Sequence, residues 1–320
     1  DVRDYLTGGD KINQAGSHDV AYAVQRAIDE AIASTDKTTT VRRALRKVNL
    51  PAGLIPLSVP ITVESVVGFE LAGVGGATRL CPFDGATTMT CLVDLNGTAN
   101  SSFHDFSITG RGSTTVDKAL WVRWNGVYRS STQNELRNIR VGDLRYKDAF
   151  VIGDPANAGV QVDQTNWFNC LAYGQATDHA TLWRSGFHVG EGTFGNNLIH
   201  SMFGCGSASH KWNVWVDACQ LGWFGGIVQT AAVDFFVNGT SYFRVAGTRS
   251  EHSARLLETG GPATFTQQIT LDDIEWRVEF LHADGHFVKV RCGGFYKLRN
   301  IQIPRVVGKT PTVLGDGAGV

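Results

Sequence analysis

A chain of 320 residues with 42% hydrophobic and 18% charged residues can bury a large core, which excludes both a disordered segment and a mini-domain. Its formal charge of -1, with no basic block, gives nucleic-acid binding no electrostatic footprint. No apolar run approaches the ~20 residues of a membrane span and no signal-peptide pattern opens the chain, so membrane insertion is not expected.

Glycine is frequent (37) and methionine rare (2), which favours many tight corners and β-branched layers over a helical bundle. Six cysteines (Cys81, Cys91, Cys170, Cys205, Cys219 and Cys292) form no CxxC pair and read as buried small hydrophobes. Asn96-Gly-Thr, Asn100-Ser-Ser and Asn238-Gly-Thr are glycosylation sequons in form, of a kind that Asn-rich turns also produce by chance.

Residues 19–34 carry the one convincing helix. Val20, Val24, Ala27, Ile28, Ala31 and Ile32 recur at helical spacing, and Ser17 or Asp19 can cap the first turn. The Thr-rich, basic stretch from Thr38 to Lys47 reads as a solvated loop or hairpin. The pattern then turns to strands: Val48-Asn-Leu-Pro-Ala-Gly, Ile61-Thr-Val and Phe69-Glu-Leu-Ala-Gly. This opening, SHDVAYAVQRAIDEA followed by VNLPAGLIPLSVPITV and FELAGVGGATRL, resembles that of pectate-lyase-superfamily domains of phage tailspikes and polysaccharide-degrading enzymes. In those proteins a helix plugs the mouth of a right-handed, single-stranded parallel β-helix. The physical need is general, because the first coil of a solenoid leaves an open apolar end.

Past residue 80 or so the argument rests on repeats. A hexad with apolar ends and Asp, Asn or His in third place recurs as Phe103-His-Asp-Phe-Ser-Ile, Leu136-Arg-Asn-Ile-Arg-Val, Trp167-Phe-Asn-Cys-Leu-Ala, Leu198-Ile-His-Ser-Met-Phe, Leu271-Asp-Asp-Ile-Glu-Trp and Leu298-Arg-Asn-Ile-Gln-Ile. The wide gap after Leu198 suits about three shorter coils. A second strand family interleaves with it: Ala119-Leu-Trp-Val, Ala149-Phe-Val-Ile, Gly186-Phe-His-Val, Asn213-Val-Trp-Val, Phe235-Phe-Val-Asn and Phe287-Val-Lys-Val. Two interleaved families are what an all-β parallel helix requires. The third hexad positions Asp105, Asn138, Asn169, His200, Asp273 and Asn300 are then expected to stack at one corner and satisfy turn backbone. Residues 1–60 form the cap with its helix and first strand, 61–303 the coils, and 304–320 a Gly/Pro-punctuated tail or linker.

Function is expected on an outer face, where side chains of successive coils form a groove for an extended polymer. Trp183, Trp212, Trp215 and Trp223, with Arg184, are the candidate substrate-binding residues, since sugar faces stack on aromatic rings; the competing reading puts these rings in the core. If the strands are regular, the pairs Trp121/Trp124 and Trp212/Trp215 split between faces. Asp217 and Glu191 end strands at comparable corners one coil apart, a spacing suited to a pair of carboxylates astride a glycosidic bond. Asp178 is the third acid, and His188 an outward residue able to serve as a lyase base. Each acid also reads as a plain corner or solvent carboxylate. Arg249 and Glu251 form a structural ion pair across a turn. The polygalacturonase and pectate-lyase motifs, including the calcium-binding one, are missing: the only Asp-Asp, Asp272-Asp273, falls on the stacking hexad. No metal or cofactor is therefore expected. The resemblance implies a phage tailspike-like homotrimer, in a virion tail or extracellular, that meets other tail proteins and binds and cleaves a bacterial surface polysaccharide as glycosidase or lyase. The alternative is a non-catalytic receptor-binding or structural spike of the same fold.

Overall fold

The computed structural model describes residues 1–7, 12, 19–33, 42–44, 47–83, 88–110, 113–126, 130–157, 162–175, 182–192, 197–239, 241–261, 266–277, 286–303 and 312–315. The chain is a parallel β-helix, right-handed as parallel crossovers are: every strand pairing is parallel, within one 13-stranded and one 15-stranded sheet. The first sheet forms face A, and it holds all six strands of the second predicted family, from Thr115–Arg123 to His286–Val290. The second sheet folds at a sharp corner into faces B and C, so each coil runs A, B, C. Strands such as Ser102–Thr109, Glu135–Gly142 and Gly294–Gln302 pass through the B/C corner without a break.

That corner is the one the hexad foretold. Asp105, Asn138, Asn169, Asp273 and Asn300 all have φ near +50 to +61°, a left-handed conformation that Asn and Asp tolerate through local side-chain bonds. Their side chains form a short ladder: Asn138 Nδ2 donates to Asp105 Oδ1 (2.8 Å), and Asn169 Nδ2 to Asn138 Oδ1 (3.4 Å). His200 does not belong to it. Trp167 pairs with Met202, so the corner of that coil is Gly204 (φ 62°), and His200 is buried. The hexad pattern falls four residues short of the corner there because a glycine corner erases the polar mark. Gly225 and Gly247 continue the series at φ 69 and 64°, and supply the short coils expected in the gap.

The helix spans Ala21–Ala33, with Asp19 accepting from Ala21 N (2.9 Å). It does more than cover apolar side chains. Gln25 Nε2 donates to Thr62 O (3.0 Å) and Gln25 Oε1 accepts from Thr62 N (2.9 Å). One amide thus occupies the edge of the first coil as a neighbouring strand would, which blocks pairing with another chain. Coils begin before residue 61, since Lys47–Asn49 and Gly53–Leu57 already pair with later strands. At the far end Thr312–Gly315, within the expected tail, adds a strand to face A beside His286–Val290. Arg42–Arg43 pairs with Ile61–Val67; the rest of the basic stretch lies largely outside the described residues.

An aromatic stack fills the centre: Phe150, Trp167, Phe187, Trp223, Phe235 and Phe243 contact in sequence at centroid separations of 5.2–6.1 Å. Alternation places one ring per strand inside, and coil spacing of about 4.8 Å brings successive rings together. All six cysteines are buried. Asn96 is buried, which removes its sequon from solvent.

Near the C/A corner a polar network interrupts this core. Asp234 is fully buried and accepts from Asn213 Nδ2 (2.8 Å), Ser253 Oγ (2.6 Å) and the Ser250 hydroxyl. Burial pushes its carboxyl up to about 6 despite these donors. An acid whose folded value is raised binds more protons folded than unfolded, so stability falls as pH rises from about 4 to 6 and stays lowered above. In Asp234→Asn, Oδ1 keeps its two donors and Nδ2 can donate to Ser250. The variant should lose that slope and exceed the parent by about 2–3 kcal/mol above pH 6. Chemical denaturation at pH 4 and 7.5 checks it; an unchanged slope would assign the pH dependence elsewhere.

Candidate functional site

Outward positions on face A form a row across coils: Trp121, Val151, His188, Trp215, Phe236 and Glu258 are in direct register. Phe187 and Val189 point into the core, so His188 points out, as alternation requires. It is nevertheless covered, only 2% exposed. Its ring lies flat on Trp215 at 4.1 Å, and the Arg184 guanidinium lies 4.6 Å from the Trp215 ring centroid. Trp212 stacks on Phe236 at 4.8 Å and meets Trp215 edge-on at 4.6 Å, with Lys211 Nζ 4.3 Å from its centroid.

These contacts correct the expectations for the tryptophans. Trp223 is in the central stack and Trp183 is buried with its Nε1 donating to Leu144 O (3.0 Å); neither offers a face to a ligand. Trp212 and Trp215 do not split between faces. Asn213 and Val214 both turn inward, Asn213 to join the Asp234 network, and this irregularity puts both rings outside. Their faces are used by neighbouring coils, because outward rings on strands ~4.8 Å apart stack on each other before they stack on sugar. Only their edges remain for a ligand.

Around His188 the charges converge. Asp217 Oδ2 lies 2.8 Å from His188 Nε2, and Asp217 Oδ1 accepts from Trp215 Nε1 (2.8 Å) and Asn238 Nδ2 (2.9 Å). Asp148, 1% exposed, accepts from Arg184 Nε (2.9 Å), from the Arg184 terminal nitrogen and from Ser185 Oγ (2.7 Å). Burial raises the Asp148 carboxyl, but those donors and His188 prevail and hold it below its ordinary value. Glu191 completes the ring, with Lys118 Nζ at 3.3 Å and Arg184 at 4.0 Å. A bulge aims it: Gly190 has φ 93°, and a Cβ there would come within 1.9 Å of Asp217 O. Gly190→Ala should therefore displace the strand end that carries Glu191 and cost about 2–3 kcal/mol, measured by denaturant unfolding against Gly68→Ala, where the added Cβ meets nothing within 4 Å.

Asp217 and Glu191 thus end strands on adjacent coils, as their sequence positions implied, and keep 17% and 14% of their side-chain surface exposed. His188 is covered and in hydrogen-bond contact with Asp217. Asp178 lies outside the described residues. Arg184 is brought into the cluster, though as the partner of Asp148. Sequence reading missed Asp148 and Lys118; the signal available was an acid and a lysine in register on neighbouring strands. Donor atoms of Asp148, His188 and Glu191 lie within 4.8 Å of one another, as a cation site would require. The fit is poor, since Arg184 and Lys118 already neutralise both carboxylates. Arg249 pairs with Glu251 as expected.

No family model matches the sequence, and no curated protein does. Solved structures match by fold. The gp42 tailspike of Acinetobacter phage vb_AbaP_AS12 superposes with a TM-score of 0.62 at 11% identity, over 91% of this chain and 50% of that one. The catalytic domain of a GH87 α-1,3-glucanase, in complex with nigerose, gives 0.50 at 12% identity, over 98% of this chain and 69% of that domain. This chain therefore spans about half the length of the tailspike. At such identities the likeness is one of fold.

Proposed function

We propose that the protein binds a bacterial surface polysaccharide and cleaves it by hydrolysis at face A, as part of a phage tailspike-like homotrimer. The observation that carries this reading is the pair of partly exposed carboxylates, Asp217 and Glu191, ending strands on neighbouring coils. A coil step of ~4.8 Å suits the ~5–5.5 Å of a retaining glycosidase better than the wider inverting gap. Asp217, oriented by His188, Trp215 and Asn238, is the base or nucleophile. Glu191, beside Lys118 and Arg184, is the second carboxylate of the pair. A lyase is less favoured because His188, its candidate base, is covered.

A binding-only spike is the second reading, favoured by the ion pairs that Lys118 and Arg184 make with Glu191. Incubation with a panel of capsular and envelope polysaccharides separates the readings. New reducing ends without an unsaturated-uronate chromophore support hydrolysis, the chromophore supports elimination, and binding without shortening supports the spike. Sedimentation at micromolar concentration tests the trimer.

A further inference from the structure

We infer that face B carries a second polysaccharide site, a groove that takes an acidic glycan along the β-helix axis. It rests on the reading of the protein as a glycan binder, but on a face separate from Asp217 and Glu191. Three clefts, of about 310, 310 and 410 Å³, share lining residues and so join end to end. Ile199 links the first to the one at Gln133, Gln164 and Asn166; Arg244 and Thr270 link it to the one at Lys297 and Arg299. The line crosses seven successive coils, about 30 Å at the spacing of parallel strands.

The floor is set at a glycine whose side-chain place is taken by the Phe224 ring, which a Cβ there would approach within 2.5 Å. Asn166, Ser201, Gly222, Arg244, Thr270 and Lys297 are in register across face B, and only Gly222 lacks a Cβ. One wall alternates amides with rings: Gln220, Tyr242, Gln268 and Phe295 are likewise in register. Tyr242 and Phe295 are 50% and 74% exposed, and among the described residues neither stacks on another ring, in contrast to Trp212 and Trp215. Free ring faces for sugar faces, with amides between them for hydroxyls, is the lining a glycan needs.

Charge selects the kind of glycan. Arg244, Lys297 and Arg299 line the groove and make no ion pair among the described residues; Asp272 is the one acid beside them. Arg244 is exposed, its guanidinium 5.8 Å from the Phe224 ring centroid. Unpaired cations spaced along a polar groove fit the carboxylates of a uronate or sialate polymer, with a guanidinium able to bind each in bidentate fashion. Burial against a second copy of this chain would instead carry the desolvation cost of these cations.

The test uses the intact chain with polygalacturonate, alginate, hyaluronate and polysialate, and with dextran as the neutral probe, by biolayer interferometry. At least one acidic polymer should bind ten times or more tightly than dextran, and more weakly as salt rises. Arg244→Ala and the pair Lys297→Ala/Arg299→Ala should each weaken it about tenfold or more, and Tyr242→Ala about fivefold. Loss of binding on Arg244→Ala places the contact on face B whatever Asp217→Asn does to cleavage, so this groove is tested apart from the face A site. Absence of binding to every acidic polymer overturns the inference, as does binding indifferent to Arg244→Ala. A change in sedimentation on Tyr242→Ala or Arg244→Ala would reassign the face to contact between copies and overturn it as well.

Discussion

Asp217→Asn and Glu191→Gln should each slow polysaccharide cleavage by about 10²–10⁴-fold, the usual worth of a positioned acid or base, with little change in binding. The two variants are not equivalent. In Asp217→Asn, Oδ1 still accepts from Trp215 and Asn238, so the local fold is kept while the charge facing His188 is lost. Glu191→Gln removes the acid but also the charge that Lys118 and Arg184 neutralise, so some loss of stability accompanies it, up to about 1 kcal/mol at this partly exposed position. His188→Gln separates positioning from chemistry: it should lower kcat through misplacement of Asp217 and leave KM largely alone. The measurement is single-turnover release of reducing ends from the cleaved polymer. Full activity in both Asp217→Asn and Glu191→Gln removes these residues from the chemistry and leaves the fold as a binding spike or moves the reaction elsewhere.

How far the sequence could reach depended on what each position had to do. Corners announce themselves when they need αL backbone and use Asn or Asp, as at Asn138 and Asp273, because few other residues accept that conformation with a side chain attached. They fall silent when glycine does the same job, as at Gly204, Gly225 and Gly247, and there the repeat slipped. Inward and outward positions were legible on regular strands, which is why His188 was placed correctly. They were not legible at Asn213-Val214, where a buried amide network turned two consecutive residues inward. The acids at strand ends, Asp217 and Glu191, could be matched by counting along one strand. Asp148, Lys118 and the face B groove depend on register between strands some thirty residues apart, or on one glycine, Gly222, and a linear pattern carries neither.

Trp223→Ala should destabilise the fold by about 3–5 kcal/mol, the cost of a large cavity in a close-packed core. The ring is fully buried, 5.3 Å from Phe187 and 6.1 Å from Phe235 in edge-on contacts, so its removal opens the central stack across two coils at once. Among the described residues its indole Nε1 has no hydrogen-bond partner, which makes Trp223→Phe a gentler change: it deletes an unsatisfied donor along with part of the ring and should cost less than half as much. Trp215→Ala, on the outer row, forfeits the flat contact with His188 and a donor to Asp217 but leaves no enclosed cavity; a loss under about 2 kcal/mol is expected. Guanidinium unfolding of the three variants orders them. The same proteins decide what the tryptophans of the middle coils are for. If Trp223→Ala weakened glycan binding while unfolding at the parent's midpoint, the ring would be a ligand contact and the central stack would be wrong. If stability falls first and binding only with it, the aromatic richness of these coils belongs to the core, and Tyr242 and Phe295 on face B are the rings left to test for sugar contact.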